Sequence, residues 1–455
     1  MTKKTTTPVD FYERLRTLVL QFVQTMTKQR PQDCSRRRKL PLARLLVGRM
    51  SLVASGRDNG VAANRGAFFT LARRSGLGPE GQSPHRSALS KARAQIPWEA
   101  LAPLLNQSVA LAYEVLPPRE AYLWQGVAVF AFDGSQYPVP ATAAVRQACD
   151  PESGRAYPGR GHSPQCLVTT ACDVCRRLPV GRTVCALQDG DEREQAQPLL
   201  PLLPPNRLSL FDRGFPSYGF LHALEEHSHL SLMRCPAPST FPAVAAFGRR
   251  GQAATRLWLT PSETFTRSRT PAQRRTLAPM RLRAIRLEAP DGTVSVLLTN
   301  LLNTRRLPRT ALLALSWRRW AGDTHDRDEK TLQPIAPFHR RTPDGIRQEL
   351  FAILLGGGIA RTLTALSVPS ESIETAQSLV QPQLKNALLR FAHAAALLTP
   401  APPEQAIVIL QALLNAIRQV KYYKPKHQRP SRPRVNKQPV NKWPSNRQKK
   451  LNKAA

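Results

Sequence analysis

Residues 127–135 read Val-Ala-Val-Phe-Ala-Phe-Asp-Gly-Ser, an unbroken apolar run that stops at an aspartate and a glycine. Such a run of β-branched and aromatic residues is typical of a strand that is buried on both faces of a sheet. We expect the strand to end at Phe132, so that Asp133 enters the following loop. The stretch therefore predicts an α/β fold with an acidic side chain at the edge of its sheet.

A second stretch has the same form, because the strand-like Arg207-Leu-Ser-Leu-Phe211 precedes Asp212-Arg-Gly-Phe. In open α/β sheets, sites form at the carboxyl ends of the strands. Each aspartate taken singly is most simply a turn or cap residue. Two carboxylates at one edge repel each other unless a cation or a shared proton intervenes. In a basic chain, this pair predicts a site at which Mg²⁺ links the two carboxylates to phosphate oxygens of a nucleic acid.

The charge of the chain points to a polyanionic partner. Its 455 residues include 66 Lys and Arg against 31 Asp and Glu, which gives a net charge of +35. At 42% hydrophobic residues, the chain has enough apolar material for sizeable cores. The charge favours nucleic acid or an acidic membrane surface. The longest clean apolar run, residues 351–360, is about half of what a spanning helix needs, so no membrane span is predicted.

The N-terminus shows no secretory signal, and the seven cysteines are scattered and odd in number. These features predict reduced thiols in a cytoplasm rather than a disulfide framework.

Residues 421–455 hold twelve Lys and Arg but no Asp or Glu. Such a segment cannot bury an apolar core, so we expect a disordered basic tail that lies along phosphates. A solubilising role is the simpler alternative. The interleaved Tyr422, Tyr423 and Trp443 can stack on bases or sugars and therefore favour nucleic acid.

A small basic helix is predicted in the N-terminal region, opening at Ser83-Pro84 and ending before Pro97. It would present Arg86, Lys91 and Arg93 among small residues. Helices of this kind can enter the major groove of DNA, although a solvated helix fits the pattern equally well.

Composition and periodicity divide the chain into five parts. They are a helical DNA-binding region (1–122), the first part of an α/β core (123–235), a β-rich insertion (236–302), a helical completion of the core (303–420) and the basic tail (421–455).

A third acidic group is expected from the helix predicted after the insertion. Steps of four and seven residues place Ser316, Arg319, Asp323 and Lys330 on one face of that helix. This stripe suits a metal ligand flanked by two phosphate-binding bases, while a solvated charged helix is the alternative. Asp326 also reaches this face and is the next candidate.

The two aspartate blocks and this helix, in this order, resemble the catalytic blocks of bacterial insertion-sequence transposases. These enzymes are of the DDE type with the signature Tyr-x2-Arg-x3-Glu-x6-Lys, and they are relatives of the Tn-five and Tn-ten transposases. The resemblance spans about residues 85–445 and is supported by Thr299-Asn-Leu-Leu302 and Phe338-His-Arg-Arg-Thr-Pro343.

The signature maps onto this chain with two departures. Arg319 and Lys330 stand at the Arg and Lys positions, whereas Ser316 and Asp323 stand at the Tyr and Glu positions. The resemblance implies a ribonuclease H-like core with a β-rich insertion. It also implies DNA transposition through metal-dependent strand cleavage and strand transfer.

The resemblance also assigns roles to single residues. Asp133, Asp212 and Asp323 would hold two Mg²⁺ ions, for which Mn²⁺ can substitute, and Arg319 and Lys330 would bind phosphate. The expected partner is double-stranded DNA, both transposon ends and target. The expected protein is a homodimer on DNA in the bacterial cytoplasm, associated with the nucleoid.

Two alternatives stay open at this point. One is a catalytically inactive DNA-binding protein derived from a transposase, because Asp reaches one methylene less far than Glu. The other is a nuclease of the same fold that does not transfer strands.

Overall fold

The structure is a computed structural model. It describes residues 7–29, 42–50, 61–76, 96–116, 122–149, 164–187, 190–236, 241–288, 292–318, 340–368 and 380–423, and the single residues 85, 87, 91, 92 and 338.

A mixed sheet of eight strands lies at the centre of the described chain. In space the strands follow the order β3-β2-β1-β4-β5-β8-β7-β6. The neighbours β1, β4 and β5 are parallel, and all other neighbouring pairs are antiparallel. The strands are β1 (Ala128–Pro138), β2 (Gln165–Asp173), β3 (Leu178–Ala186), β4 (Arg207–Phe211), β5 (Leu230–Pro236), β6 (Ala254–Leu259), β7 (Met280–Glu288) and β8 (Val294–Thr299). The α/β class predicted from the sequence is confirmed.

Fourteen α-helices of the described residues surround this sheet. They are α1 (Pro8–Gln29), α2 (Leu42–Met50), α3 (Val61–Arg74), α4 (Leu101–Val115), α5 (Ala143–Cys149), α6 (Glu192–Ala196), α7 (Tyr218–Glu226), α8 (Pro242–Arg249), α9 (Glu263–Arg267), α10 (Pro271–Thr276), α11 (Arg309–Trp317), α12 (Pro343–Leu366), α13 (Leu384–Leu398) and α14 (Pro403–Gln419). Two short strands, β9 (Val380–Pro382) and β10 (Lys421–Tyr423), form a separate antiparallel pair.

The two faces of the sheet pack against different helices. On one face, Leu312 and Leu315 of α11 join Ala131 and Leu210 in a hydrophobic cluster. We call this side the α11 face. On the opposite face, Phe211 packs against Phe220 of α7, with ring centroids 5.0 Å apart.

The strand β1 is longer than the sequence suggested. It runs to Pro138 rather than ending at Phe132, because Asp133 to Pro138 continue to pair with Thr170 to Gln165 of β2. Asp133 therefore lies within a strand that continues past the parallel part of the sheet, and the prediction that it enters a loop is wrong.

Residues 236–302, predicted as a β-rich insertion, contribute three strands to the central sheet. These strands, β6, β7 and β8, extend the central sheet, because β8 pairs with β5 along Leu232 to Pro236. The same stretch contains three short helices, α8 to α10. Residues 174–177 form the turn between β2 and β3, and Leu178 begins β3.

One helix, α12, is long and apolar enough to cross a membrane by length and composition, among the residues described here. Of its most apolar window, 83% is buried inside the protein. These properties fit a core helix, and α12 contributes Leu350, Leu354 and Ile359 to the main hydrophobic core.

A buried ion pair joins α4 to the turn between β2 and β3. The Arg176 guanidinium donates to Asp173 Oδ2 at 3.0 Å, and both side chains are almost fully buried. The guanidinium lies between the rings of Tyr113 and Tyr122, at 4.7 and 4.9 Å from their centroids. The Tyr113 hydroxyl also donates to Asp173, and burial next to this carboxylate raises the pKa of Tyr113.

We expect Arg176→Met to destabilise the protein by about 3–5 kcal/mol, because it leaves the Asp173 carboxylate buried without its cation. Urea unfolding would measure this change. The matched control is Arg267→Met, which removes a fully solvated ion pair with Glu263 and should leave the free energy of unfolding unchanged. Equal effects of the two substitutions would contradict the assigned role of the buried pair.

Candidate active site

The two predicted aspartates lie side by side in the structure. The parallel register of β1 and β4 pairs Ala131 with Leu210, and two further residues along each chain bring Asp133 level with Asp212. Neighbouring strands are about 4.8 Å apart, so the backbones of these two residues lie about one strand spacing from each other. Both residues are partly exposed. The structure thus brings together two of the three predicted acidic residues.

Both aspartates also point to the same side of the sheet. Side chains alternate between the faces of a strand, so Asp133 shares a face with Ala131, and Asp212 shares a face with Leu210. Ala131 and Leu210 pack with Leu312 and other residues on the α11 face. The carboxylates therefore project toward the side of the sheet that carries α11.

Phenylalanines on the opposite face hold β1 and β4 in register, and this register sets the positions of the aspartates along the two strands. The rings of Phe132 and Phe211 are stacked with centroids 5.0 Å apart, and both residues are fully buried. Phe215 packs on Phe211 at 5.1 Å and anchors the loop that follows β4. Within this loop, the Gly214 N–H donates to Asp212 Oδ1 at 2.7 Å, which orients the carboxylate.

Glu192, at the start of α6, lies on the face of the sheet opposite to the Asp133 side chain, because side chains alternate along β1. Its carboxylate lies directly over Gly134, where an added Cβ would overlap it. The neighbouring Asp191 caps α6 by accepting from the Arg193 N–H, and its carboxylate also binds the Arg193 guanidinium. These hydrogen bonds hold the pKa of Asp191 below its usual range.

Arg234 is a residue beside the aspartates that the sequence did not reveal. The parallel register of β4 and β5 pairs Phe211 with Met233, which places Arg234 level with Asp212 on the next strand. Its guanidinium is held by the Ser295 hydroxyl at 3.0 and 3.2 Å. Asp133, Asp212 and Arg234 thus form one row across three parallel strands, and a guanidinium in such a row can bind a phosphate.

Arg319, Asp323, Asp326 and Lys330 lie outside the described residues. The chain before them ends on the α11 face, since Ser316 and Trp317 line a small cavity with Leu210, Leu232 and Arg234.

The helix α12, which follows this segment, contacts β3 and through it the strand next to β1. The Leu350 carbonyl of α12 accepts from the Arg182 guanidinium at 3.3 Å, and Arg182 donates to Thr170 at 3.3 Å. Thr170 is the cross-strand neighbour of Asp133. Arg182 therefore links α12 to the strand position next to Asp133.

Of the residues predicted to bind DNA in the N-terminal region, only Lys91 is described, and it is exposed. Arg86 and Arg93 fall outside the described residues. Within the part of the chain that the structure covers, no three His, Cys, Asp or Glu side chains are grouped so that they could hold a metal ion.

Comparison with known proteins supports a relation to transposases. The chain is 23% identical over 286 residues to the transposase InsG for insertion sequence element IS4 of Escherichia coli (strain K12). The match covers 60% of this chain and 60% of the length of that relative. No family model matches the chain.

Among solved structures, the chain resembles a piggyBac transposase determined by cryo-EM as a synaptic complex with hairpin DNA. The TM-score is 0.44 with 11% sequence identity, covering 90% of this chain and 85% of that one. The sequence match thus agrees with the predicted resemblance at the level of transposases. The DDE signature and the relation to the Tn-five and Tn-ten enzymes stay predictions.

We expect Gly134→Ala to lower the melting temperature, because the new Cβ would overlap the Glu192 carboxylate and push α6 away from β1. The double variant Gly134→Ala with Glu192→Ala should recover the lost stability, since the space is then free. Thermal unfolding of both variants, with Glu192→Ala alone as the control, measures this coupling. Purely additive effects would show that the two residues do not share this space.

Proposed function

We propose that this protein is a DNA transposase that cuts DNA strands at the ends of an insertion sequence and joins them to target DNA. The observation that carries the proposal is the row of Asp133, Asp212 and Arg234 on three parallel strands. The sequence similarity to the transposase InsG supports the same class of protein.

We also propose that the core is ribonuclease H-like. The order β3-β2-β1-β4-β5, with an antiparallel meander of β1 to β3 followed by parallel β4 and β5, supports this proposal. In this arrangement, the two aspartates sit at equal height on the central strands β1 and β4. A third acidic residue would come from the segment between α11 and α12, and Asp323 is our candidate.

The donor set fits Mg²⁺, with Mn²⁺ as a substitute. Carboxylate oxygens are hard ligands of the kind that these ions prefer, and phosphate oxygens can complete the coordination. Asp133, Asp212 and Asp323 would hold two ions. Such ions supply Lewis-acid activation of the attacking oxygen and stabilisation of the leaving oxygen.

The protein's own basic residues would position the DNA strand. Arg234 lies beside Asp212, so its guanidinium would bind a phosphate next to the reacting one. Arg319 would bind phosphate in a bidentate manner, and Lys330 as a point charge. The net charge of +35 and the basic tail would hold the duplex through further phosphate contacts. We further propose a homodimer on paired DNA ends, in the cytoplasm and close to the nucleoid.

We expect Asp133→Asn and Asp212→Asn each to abolish DNA cleavage in Mg²⁺, because each removes a metal ligand. DNA affinity should stay within about twofold of the wild type, since most phosphate contacts lie elsewhere. Cleavage of a labelled duplex and a parallel binding titration measure the two properties.

The matched control is Asp344→Asn, an exposed carboxylate at the start of α12, which should cleave normally. Full cleavage by Asp133→Asn or by Asp212→Asn would contradict the assignment of that residue as a metal ligand. A wild-type protein that binds DNA but never cleaves it would favour the inactive DNA-binding alternative. Cleavage without joining of the cut end to a target plasmid would favour the nuclease.

The third carboxylate has its own test. Asp323→Ala should abolish cleavage, whereas Asp326→Ala and Glu329→Ala should reduce the rate less than about threefold, because only Asp323 keeps both signature spacings. Asp323→Glu should keep or raise the rate if the shorter side chain limits this protein. Single-turnover cleavage rates measure all four variants, and an active Asp323→Ala variant would transfer the assignment to Asp326.

A further inference from the structure

An exposed tryptophan lies among arginines on the α11 face, far from the aspartates. Trp258 of β6 is 59% exposed, although its neighbours Leu257 and Leu259 are buried. Arg281 stands directly opposite on β7, and its guanidinium carbon is 5.9 Å from the centroid of the Trp258 ring. This distance is within the range of a cation–π interaction. The pair therefore presents an aromatic face and a positive charge together.

The loop between β8 and α11 adds charge to the same surface. Arg256 donates to the Leu302 carbonyl at 3.2 Å, and its cross-strand neighbour Arg283 donates to the Leu307 carbonyl at 2.6 Å. These two bonds hold the start and the end of the loop against β6 and β7. The loop itself carries two exposed arginines.

We call this surface the Trp258 patch: Arg256, Trp258, Arg281, Arg305 and Arg306, all exposed. The segments that form it, residues 254–259, 280–287 and 301–309, contain no aspartate or glutamate. The patch is therefore positive without an internal counter-charge, and an anionic partner would relieve the repulsion among its arginines.

The patch is remote from the aspartates but lies on the same face of the sheet. Four strand steps separate β4 from β6, and the register places Trp258 four residues along from the level of Asp212. With strands about 4.8 Å apart and about 3.3 Å per residue, the separation is roughly 25 Å. A DNA strand that passes the aspartates can reach the patch about seven nucleotides away, at about 3.4 Å per nucleotide.

We propose that the Trp258 patch is a second DNA-binding surface, separate from the row of aspartates. The arginines would bind consecutive phosphates of one strand, and Trp258 would pack against a sugar or a base of that strand. This proposal rests on the proposed function, because it extends the path of the same DNA beyond the cleavage site. The shared chemistry is a sugar–phosphate strand, supplied either by duplex DNA or by a single strand.

The test separates the contribution of the arginine charge to DNA binding from the contribution of the Trp258 ring. Binding of a 30-nucleotide single strand and of a 30-base-pair duplex would be titrated at several salt concentrations. Arg281→Gln should lower the slope of log K against log salt by about 0.9 on duplex or about 0.7 on a single strand. Trp258→Ala should weaken binding about five- to tenfold with an unchanged slope, because it removes no charge, and Trp258→Phe should restore most of the affinity.

The matched control is Arg390→Gln, an exposed arginine of α13, which should change neither slope nor affinity. Melting temperatures of all variants show whether they fold. A loss on one DNA form identifies which form occupies the patch.

If Trp258→Ala and Arg281→Gln bind both DNA forms with unchanged affinity, the proposal is overturned. The contact between Trp258 and Arg281 would then serve only to stabilise the edge strand β6. An equal effect of Arg390→Gln would also overturn it. Failure of the wild-type protein to bind either form would instead overturn the proposed function itself.

Discussion

The parallel pairing of β1 with β4 is the constraint on which the candidate site depends. Its register, with Ala131 opposite Leu210, fixes Asp133 and Asp212 at one height and on one face. The stacked rings of Phe132 and Phe211 secure this register from the opposite face. A slip of one residue would turn one carboxylate to the wrong side of the sheet and bury it among these rings. The register of β1 and β4 therefore determines both the stacking of the two phenylalanines and the placement of the two carboxylates.

The remaining architecture holds this pair in place. The Arg176–Asp173 pair ties the antiparallel neighbour of β1 to α4, so that the helical N-terminal region braces the sheet. The helix α11 covers the apolar residues next to the aspartates, and the chain leaves it at Arg318 on the same face. The arginines Arg234 and Arg281, at different distances along that face, give the proposed DNA path its charge.

The sequence revealed the elements with strong local patterns. The apolar runs before Asp133 and Asp212 predicted β1 and β4, because each run is short and sharply bounded. The continuation of β1 past Asp133 depends on pairing with distant β2, which no local pattern encodes. The same limit hid Arg234, whose position beside Asp212 follows from the strand register. The assignment of Asp323 rests on spacing and resemblance and stays a prediction.

The central claim is that three separate segments of the chain converge on one metal site. Iron-mediated cleavage of the polypeptide tests it directly, because Fe²⁺ that replaces Mg²⁺ generates hydroxyl radicals that cut only the nearby backbone. With DNA bound, the account predicts cuts near Asp133, Asp212 and Asp323 that excess Mg²⁺ suppresses together. Cuts that Mg²⁺ does not suppress, or a pattern that spares β1 and β4, would contradict the account.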